Sequence, residues 1–182
     1  MKKSTIETVI FIREQLLEVS KLVTSFENKK LSAVEDWIKW LKKNEDFCTQ
    51  LNFVESAELA GLRSTILFEI TETKENKNLK RKRIIAKALE TINPAQSVLQ
   101  HRFKLLNDKI EMVQNLIKQI LVPAKDAGII QYNSSIDFSG YLETLLLQFK
   151  KHEQLAPSIN NAIALIGKYD VLRILAEEIE FD

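Results

Sequence analysis

Seven apolar residues recur at alternating spacings of four and three positions in the middle of the chain, and they constrain its fold more than any other feature. They are Leu99, Phe103, Leu106, Ile110, Val113, Ile117 and Ile120. This heptad spacing places them along one face of an α-helix. Five further apolar residues widen the face: Val98, Leu105, Met112, Leu116 and Leu121. A helix apolar over most of its circumference is normally surrounded by others. The pattern therefore predicts the central helix of a bundle rather than an isolated dimeric coiled coil.

The composition favours an all-α protein. The 182 residues include only four glycines and three prolines, whereas a β sandwich or barrel needs those residues at its many tight turns. With 45% hydrophobic residues, a chain of this length can bury a core without disulfides or metals. We expect a single helical domain over residues 1–182. Its expected substructure is a set of N-terminal helices in 1–92, followed by the long helix and C-terminal helices in 93–182.

The periodicity predicts a bundle of about six to eight helices around a long central helix at about 94–122. The other predicted helices span 4–27, 33–51, 55–72, a basic 77–92, 136–152, and two short terminal stretches at 157–166 and 171–179.

Short sequence signals mark the ends of these helices. Ser4 and Glu7 match a capping box, as do Ser32 and Glu35. Asn93, followed by Pro94 and then Gln96, predicts the start of the long helix, and Pro123 predicts its end or a kink. Asp170 is expected to cap the last helix, while Gly128 and Gly167 occupy positions typical of left-handed helix stops.

The sequence predicts a soluble cytoplasmic protein. Cys48 is the single cysteine, so no intramolecular disulfide can form, and we expect it to be a buried apolar residue. Glu7, Arg13 and Glu14 interrupt any signal-peptide core, and no apolar stretch approaches the roughly 20 residues of a membrane-spanning helix.

The residues that carry catalysis are scarce. The only histidines are His101 and His152, no Glu-x-x-His pair occurs, and no glycine-rich phosphate loop is present. One cysteine and two distant histidines do not make a zinc site. We therefore expect no enzyme activity, no cofactor, no metal and no small-molecule site. A small helical enzyme using His101 and Arg102 is the least favoured alternative.

The most distinctive polar feature is the basic segment, residues 74–87, which holds seven basic residues and a single acid, Glu75. Its candidate partner-binding or phosphate-binding residues are Lys77, Lys80, Arg81, Lys82, Arg83 and Lys87. Four consecutive basic residues at 80–83 cannot share one helix face. The segment is interpreted either as a solvated surface or as a contact for phosphates or an acidic partner. No aromatic residue lies between 69 and 102, which disfavours the stacking of single-stranded bases.

The opposite charge is concentrated in the acidic segment, residues 176–182, which has four acids in seven positions. Its candidate interface residues are Glu177, Glu178, Glu180 and Phe181. Residues 129–182 as a whole hold four basic and eight acidic residues, and the chain is near neutral, at +1, because its basic and acidic regions cancel. The acidic segment can pair with the basic segment in one molecule, pair between molecules, or bind something else. Trp37 and Trp40 are two further interface candidates; we expect Trp40 to be half exposed, although tryptophan at helical spacing is more often core.

These features favour a non-enzymatic adaptor or accessory subunit of a larger protein assembly, which binds a protein partner through its basic and acidic segments. The alternative is a regulatory protein whose basic segment contacts nucleic-acid phosphates. The near-neutral total charge counts against this alternative, since domains devoted to nucleic acid are usually strongly basic.

Overall fold

The computed structural model of the chain describes residues 4–71, 76–131 and 137–179. The described residues are all-α, as predicted, with seven helices and no strand. The helices are α1 (Thr5–Glu27), α2 (Ala33–Gln50), α3 (Glu55–Thr71), α4 (Lys77–Asp126), α5 (Phe138–Lys151), α6 (Ala156–Ile166) and α7 (Lys168–Glu178). Within the described parts of the chain, none of these helices has the length and apolar character needed to cross a membrane.

The helices form two compact units. The first unit is Ile10–Lys104 and contains most of α1, all of α2 and α3, and the start of α4. The second unit comprises Met1–Val9 and Leu105–Asp182, with the rest of α4 and α5 to α7. The division falls inside α4, between Lys104 and Leu105, and the substructure suggested by the sequence at 92/93 stays a prediction. The single-domain organisation stays a prediction.

The two helices predicted at 77–92 and 94–122 are one continuous helix, α4, so the predicted start at Asn93 is wrong. Pro94 cannot donate a hydrogen bond to the carbonyl of Glu90. Asn93, Pro94 and Glu90 are all exposed, so water can solvate the freed carbonyl. The helix continues past Pro123 for the same reason and ends at Asp126.

Both predicted glycine stops are confirmed. Gly128 has a φ of 65°, and Gly167, between α6 and α7, has a φ of 93°. After α4, the N–H of Ile129 donates to the carbonyl of Ala124 over 2.9 Å, the six-residue closure typical of a helix that ends in a left-handed glycine.

The heptad row of α4 is buried as predicted, with Phe103 partly exposed. In the first unit the row contributes Leu99 to the core, and in the second unit it contributes Leu106, Ile110, Val113, Ile117 and Ile120. The wider apolar face is only partly covered, because Leu121 is buried but Leu105 is 42% and Met112 57% exposed. α4 is therefore amphipathic, with one buried side, instead of being enclosed on most of its circumference.

The second unit includes a long-range cap that the sequence did not predict. Asp170 does not cap the last helix, because α7 begins at Lys168 with Gly167 as its N-cap. The Asp170 carboxylate, only 1% exposed, instead accepts hydrogen bonds from the Ser4 hydroxyl and the Thr5 backbone N–H, each over 2.5 Å. It therefore caps the N-terminus of α1. Ser4 also performs its predicted local role, since its Oγ accepts from the Glu7 N–H over 3.0 Å.

Candidate partner-binding surface at the start of α4

The basic segment forms the first turns of α4, apart from residues 74 and 75, which lie outside the described residues. Lys77, Arg81 and Lys82 are exposed, and Lys80 is half-buried. Leu79, in the same turns, is 58% exposed.

Contacts within the first unit show why these turns are open to solvent. The Trp37 indole N–H donates to the Thr91 hydroxyl over 2.9 Å, and Cys48, further along α2, lies close enough to Arg102 to be influenced by its charge. α2 therefore runs parallel to α4 and, starting four residues before Trp37, begins near the level of Lys87. On the other side, Glu69 of α3 lies 2.5 Å from the Nε of Arg83, and α3 ends two residues later. Each helical residue advances about 1.5 Å, so the first turn of α4 lies beyond the start of α2 and the end of α3.

The structure separates the six basic candidates into two groups. Arg83 pairs with Glu69, and Lys87 pairs with Glu90 over 2.6 Å, an interaction that raises the pKa of Lys87. Among the described residues, no carboxylate forms an ion pair with any of the other four cations. We call this group, Lys77, Lys80, Arg81 and Lys82, the basic end. Arg83 and Lys87 each form an ion pair with a described carboxylate, so neither is counted in this group.

The basic end lies where a helix tolerates cations least. The exposed N–H groups at a helix N-terminus carry a partial positive charge, so acids there stabilise the helix and bases destabilise it by about 0.3–1 kcal/mol each. The first turns of α1, α2, α3 and α7 contain an acid, whereas those of α4, α5 and α6 contain none, and that of α4 also carries Lys77 and Lys80. Lys77 and Lys80, in the first turn, therefore weaken the helix that carries them. A local arrangement that lowers stability is typical of a functional site.

The acidic segment is described only as far as Ile179, so Glu180 and Phe181 lie outside the described residues. Glu177 pairs with Arg173 of the same helix over 3.2 Å, and Glu178 pairs with Lys118 of α4 over 3.4 Å. Both pairs belong to the second unit.

The structure places the two tryptophans in the core of the first unit, and the expected half-exposure of Trp40 is wrong. Trp40 is 3% exposed and its ring stacks on that of Trp37, with 4.6 Å between the centroids. The Trp40 indole N–H donates to the backbone carbonyl of Gln15 over 3.3 Å. Helical spacing alone placed Trp40 at the edge of α2, but α1 covers that edge. Neither ring is therefore available at the surface to hold a partner.

His101 and Arg102 point in different directions on α4, because successive helical residues are about 100° apart. His101 is exposed. Arg102 donates from Nε and Nη2 to the two carboxylate oxygens of Glu55, over 2.9 and 2.6 Å, and its guanidinium lies 4.2 Å from the centre of the Phe53 ring. Glu55 is 4% exposed, so this bidentate pair joins α3 to α4 inside the first unit. Sequence spacing gave no sign of the pair, since its members are 47 positions apart.

Cys48 is fully buried, as expected from its sequence context. Burial, and secondarily the negative charge of Glu55, raise the pKa of its thiol from 9.0 to about 11.

We therefore predict that Cys48 is unreactive in the folded protein. At pH 8 the higher pKa alone lowers the thiolate fraction about 100-fold, and the thiolate is the nucleophile. Reaction with a chromogenic disulfide reagent at pH 8 should be at least about 100-fold slower in native protein than in urea. Similar rates in the two conditions would contradict the buried position, and a Cys48→Ala variant gives the background rate.

A groove of about 520 Å³ lies in the second unit, between one face of α5 and residues 128–131. Its walls combine the side chains of Tyr141, Leu145 and Phe149 with those of Gln148 and His152. The volume lies in the range of small-molecule sites. The sequence indicated no such site, because its lining residues become neighbours only when the turn after α4 faces α5. His152 is also the residue that ends α5, as its position in the sequence suggested.

The chemistry of the described residues gives no metal centre, since no three metal-ligating side chains of His, Cys, Asp or Glu cluster there. The basic end is therefore the candidate surface with the most definite chemistry, an uncompensated positive charge beside exposed apolar groups. The chain matches no known protein family, and neither a curated protein nor a solved structure shows significant similarity to it.

Proposed function

We propose that this protein is a non-enzymatic adaptor or accessory subunit, which uses the basic end to bind an acidic surface of a protein partner. The observation that supports this proposal is the position of Lys77, Lys80, Arg81 and Lys82. They lie without described carboxylate partners on the first turns of α4, and the first of these turns, which carries Lys77 and Lys80, lies beyond the adjoining ends of α2 and α3. An acidic partner would compensate both these charges and the positive pole of the helix.

Exposed apolar groups favour a protein partner over a nucleic-acid backbone. Leu79 is 58% exposed among the four cations, and Phe68, one turn before the end of α3, is 63% exposed. A phosphate backbone offers charge but little apolar surface to such residues, whereas protein interfaces commonly combine a polar rim with aromatic and aliphatic contacts. Binding of duplex phosphates through the same cations is the second candidate.

The test compares wild-type protein with the variant Lys77→Gln, Lys80→Gln, Arg81→Gln and Lys82→Gln. Fluorescence anisotropy measures the affinity for an acidic peptide with interspersed leucines and for random-sequence duplex DNA, at low salt and at about 0.15 M. We expect wild-type protein to bind the peptide more tightly than the duplex. The four substitutions should raise the peptide dissociation constant at least about tenfold, since they remove the charges that attract it.

A matched control removes four exposed lysines elsewhere, Lys21, Lys30, Lys104 and Lys109, by the same change to Gln. This control should retain most of the peptide affinity if the position of the charges, and not their number, is decisive. Equal losses in the two variants would contradict a local binding surface. Tighter binding to the duplex, with a steep salt dependence, would instead favour the nucleic-acid candidate.

A further inference from the structure

The end of α7 shows the reverse of the charge arrangement at the start of α4. The carbonyl groups at a helix C-terminus carry a partial negative charge, so bases stabilise the last turn and acids destabilise it. The last turn of α5 follows this rule with Lys150 and Lys151. The last turns of α1, α2, α3 and α6 contain no base, and that of α7 contains none either and carries two acids, Glu177 and Glu178. The N-terminus of α4 therefore carries positive charges, and the C-terminus of α7 carries negative charges, that the dipole of each helix disfavours.

The ion pair of Glu177 leaves this residue able to bind elsewhere, whereas Glu178 stays with Lys118 of α4. Glu177 pairs with Arg173 within one helix, and half of the Glu177 side chain is exposed. Exposed pairs of this kind contribute little and exchange readily with other partners. Glu180 and Asp182 add two more acids to the segment in the sequence.

The acidic segment also contains apolar residues that match those near the basic end. The backbone leaves α7 in an extended conformation at Ile179, with φ −77° and ψ 118°. In the sequence Ile179 and Phe181 alternate with acids, so an extended docked segment would present both apolar side chains on one side. The basic end offers Leu79 and, on α3, Phe68 as exposed apolar surface.

From these observations we propose that the basic end binds the acidic segment of a second copy of this chain, so that the protein associates with itself head to tail. Three carboxylates, those of Glu177, Glu180 and Asp182, meet the four cations, and each helix terminus receives the charge that it lacks. The contact joins two different surfaces, so it forms rings where the rotation closes and open chains where it does not. The proposal rests on the proposed function, because the second copy binds the same basic end as the acidic partner protein. That partner would displace the second copy.

The experiment uses charge reversal on the full chain. One variant carries Lys80→Glu, Arg81→Glu and Lys82→Glu; the other carries Glu177→Lys, Glu180→Lys and Asp182→Lys, which leaves the pair of Glu178 with Lys118 intact. Sedimentation velocity at low salt should show concentration-dependent association of wild-type protein. We expect each variant alone to associate at least about tenfold more weakly, and an equal mixture of the two to recover association because opposite charges again face one another.

A control variant with Lys21→Glu, Lys30→Glu and Lys104→Glu should associate like wild-type protein, and circular dichroism should show that all variants keep their helices. A wild-type monomer at every concentration, association that survives either reversal, or a mixture that stays monomeric would overturn the inference. The acidic peptide measured in parallel separates the two proposals. If wild-type protein binds the peptide but does not self-associate, only the second copy is excluded as the occupant and the adaptor proposal stands.

Discussion

Replacing Arg102 with leucine should lower the free energy of unfolding by about 3 kcal/mol. The substitution leaves the Glu55 carboxylate, which is 4% exposed, without the two N–H donors that hold it. Removing one member of a buried ion pair typically costs about 3–5 kcal/mol, because the other charge stays buried without compensation. We expect the lower part of this range, since the Arg102 side chain retains 19% exposure. Urea unfolding at neutral pH measures the change.

A double variant tests whether the isolated charge causes the loss. Adding Glu55→Gln to Arg102→Leu removes that charge and should restore at least half of the lost stability. The control is Arg173→Leu, which removes one member of the exposed pair with Glu177 and should change stability by no more than about 0.5 kcal/mol. If Arg102→Leu has as small an effect as this control, the Glu55–Arg102 contact does not act as a buried pair.

The second large effect is expected at Asp170, where replacement with alanine should also cost about 3 kcal/mol. It removes the acceptor of the Ser4 hydroxyl and the Thr5 N–H, two donors at the start of α1. Hydrogen bonds to a charged group are worth about 1.5–3 kcal/mol each, and loss of a helix cap costs about 1 kcal/mol. The contributions overlap, so we do not expect their full sum.

The conservative change Asp170→Asn distinguishes capping from simple packing. The asparagine amide has nearly the same size, but its NH₂ group faces one of the two donors. The Asn variant should therefore lose at least half as much stability as the Asp170→Ala variant loses. Asp108→Ala, an exposed site on α4 in the same unit, should stay within about 0.5 kcal/mol of wild type. Equal stability of wild type and the Asn variant would mean that the carboxylate charge contributes nothing at this position.

The fold was predictable wherever neighbouring residues in sequence determine the structure. Periodicity located the helices to within a few residues, and Gly128 and Gly167 marked true stops because a positive φ is a local property of glycine. Asn93 and Pro94 gave an equally clear local signal, yet the helix passes through them. The outcome there depends on packing: residues on either side belong to one continuous buried row, and the proline lies on the exposed face.

The sequence predicted where the candidate surface lies in the chain, but not which of its basic residues lack an ion-pair partner. The basic segment is visible in the sequence, whereas the removal of Arg83 from the free group depends on Glu69, which becomes its neighbour only because α3 packs against α4. The same limit applies to Asp170, which lies 166 positions from Ser4. It also applies to Trp40, which is buried because α1 packs over it. Long-range packing decides all three, and spacing within one helix carries no information about it.

The aromatic residues divide between the two units in a way that makes each unit separately visible by spectroscopy. Both tryptophans lie on α2 in the first unit, and all three tyrosines of the chain fall in the second. Tryptophan emission during unfolding therefore reports on Ile10–Lys104, and the tyrosine absorption, once derivative spectra separate it from the stronger tryptophan band, reports on the other unit. Coincident transitions would indicate one cooperative protein, whereas separate transitions would indicate two. Arg102→Leu should first shift the tryptophan transition, and Asp170→Ala the tyrosine transition, so unmodified protein carries its own pair of reporters.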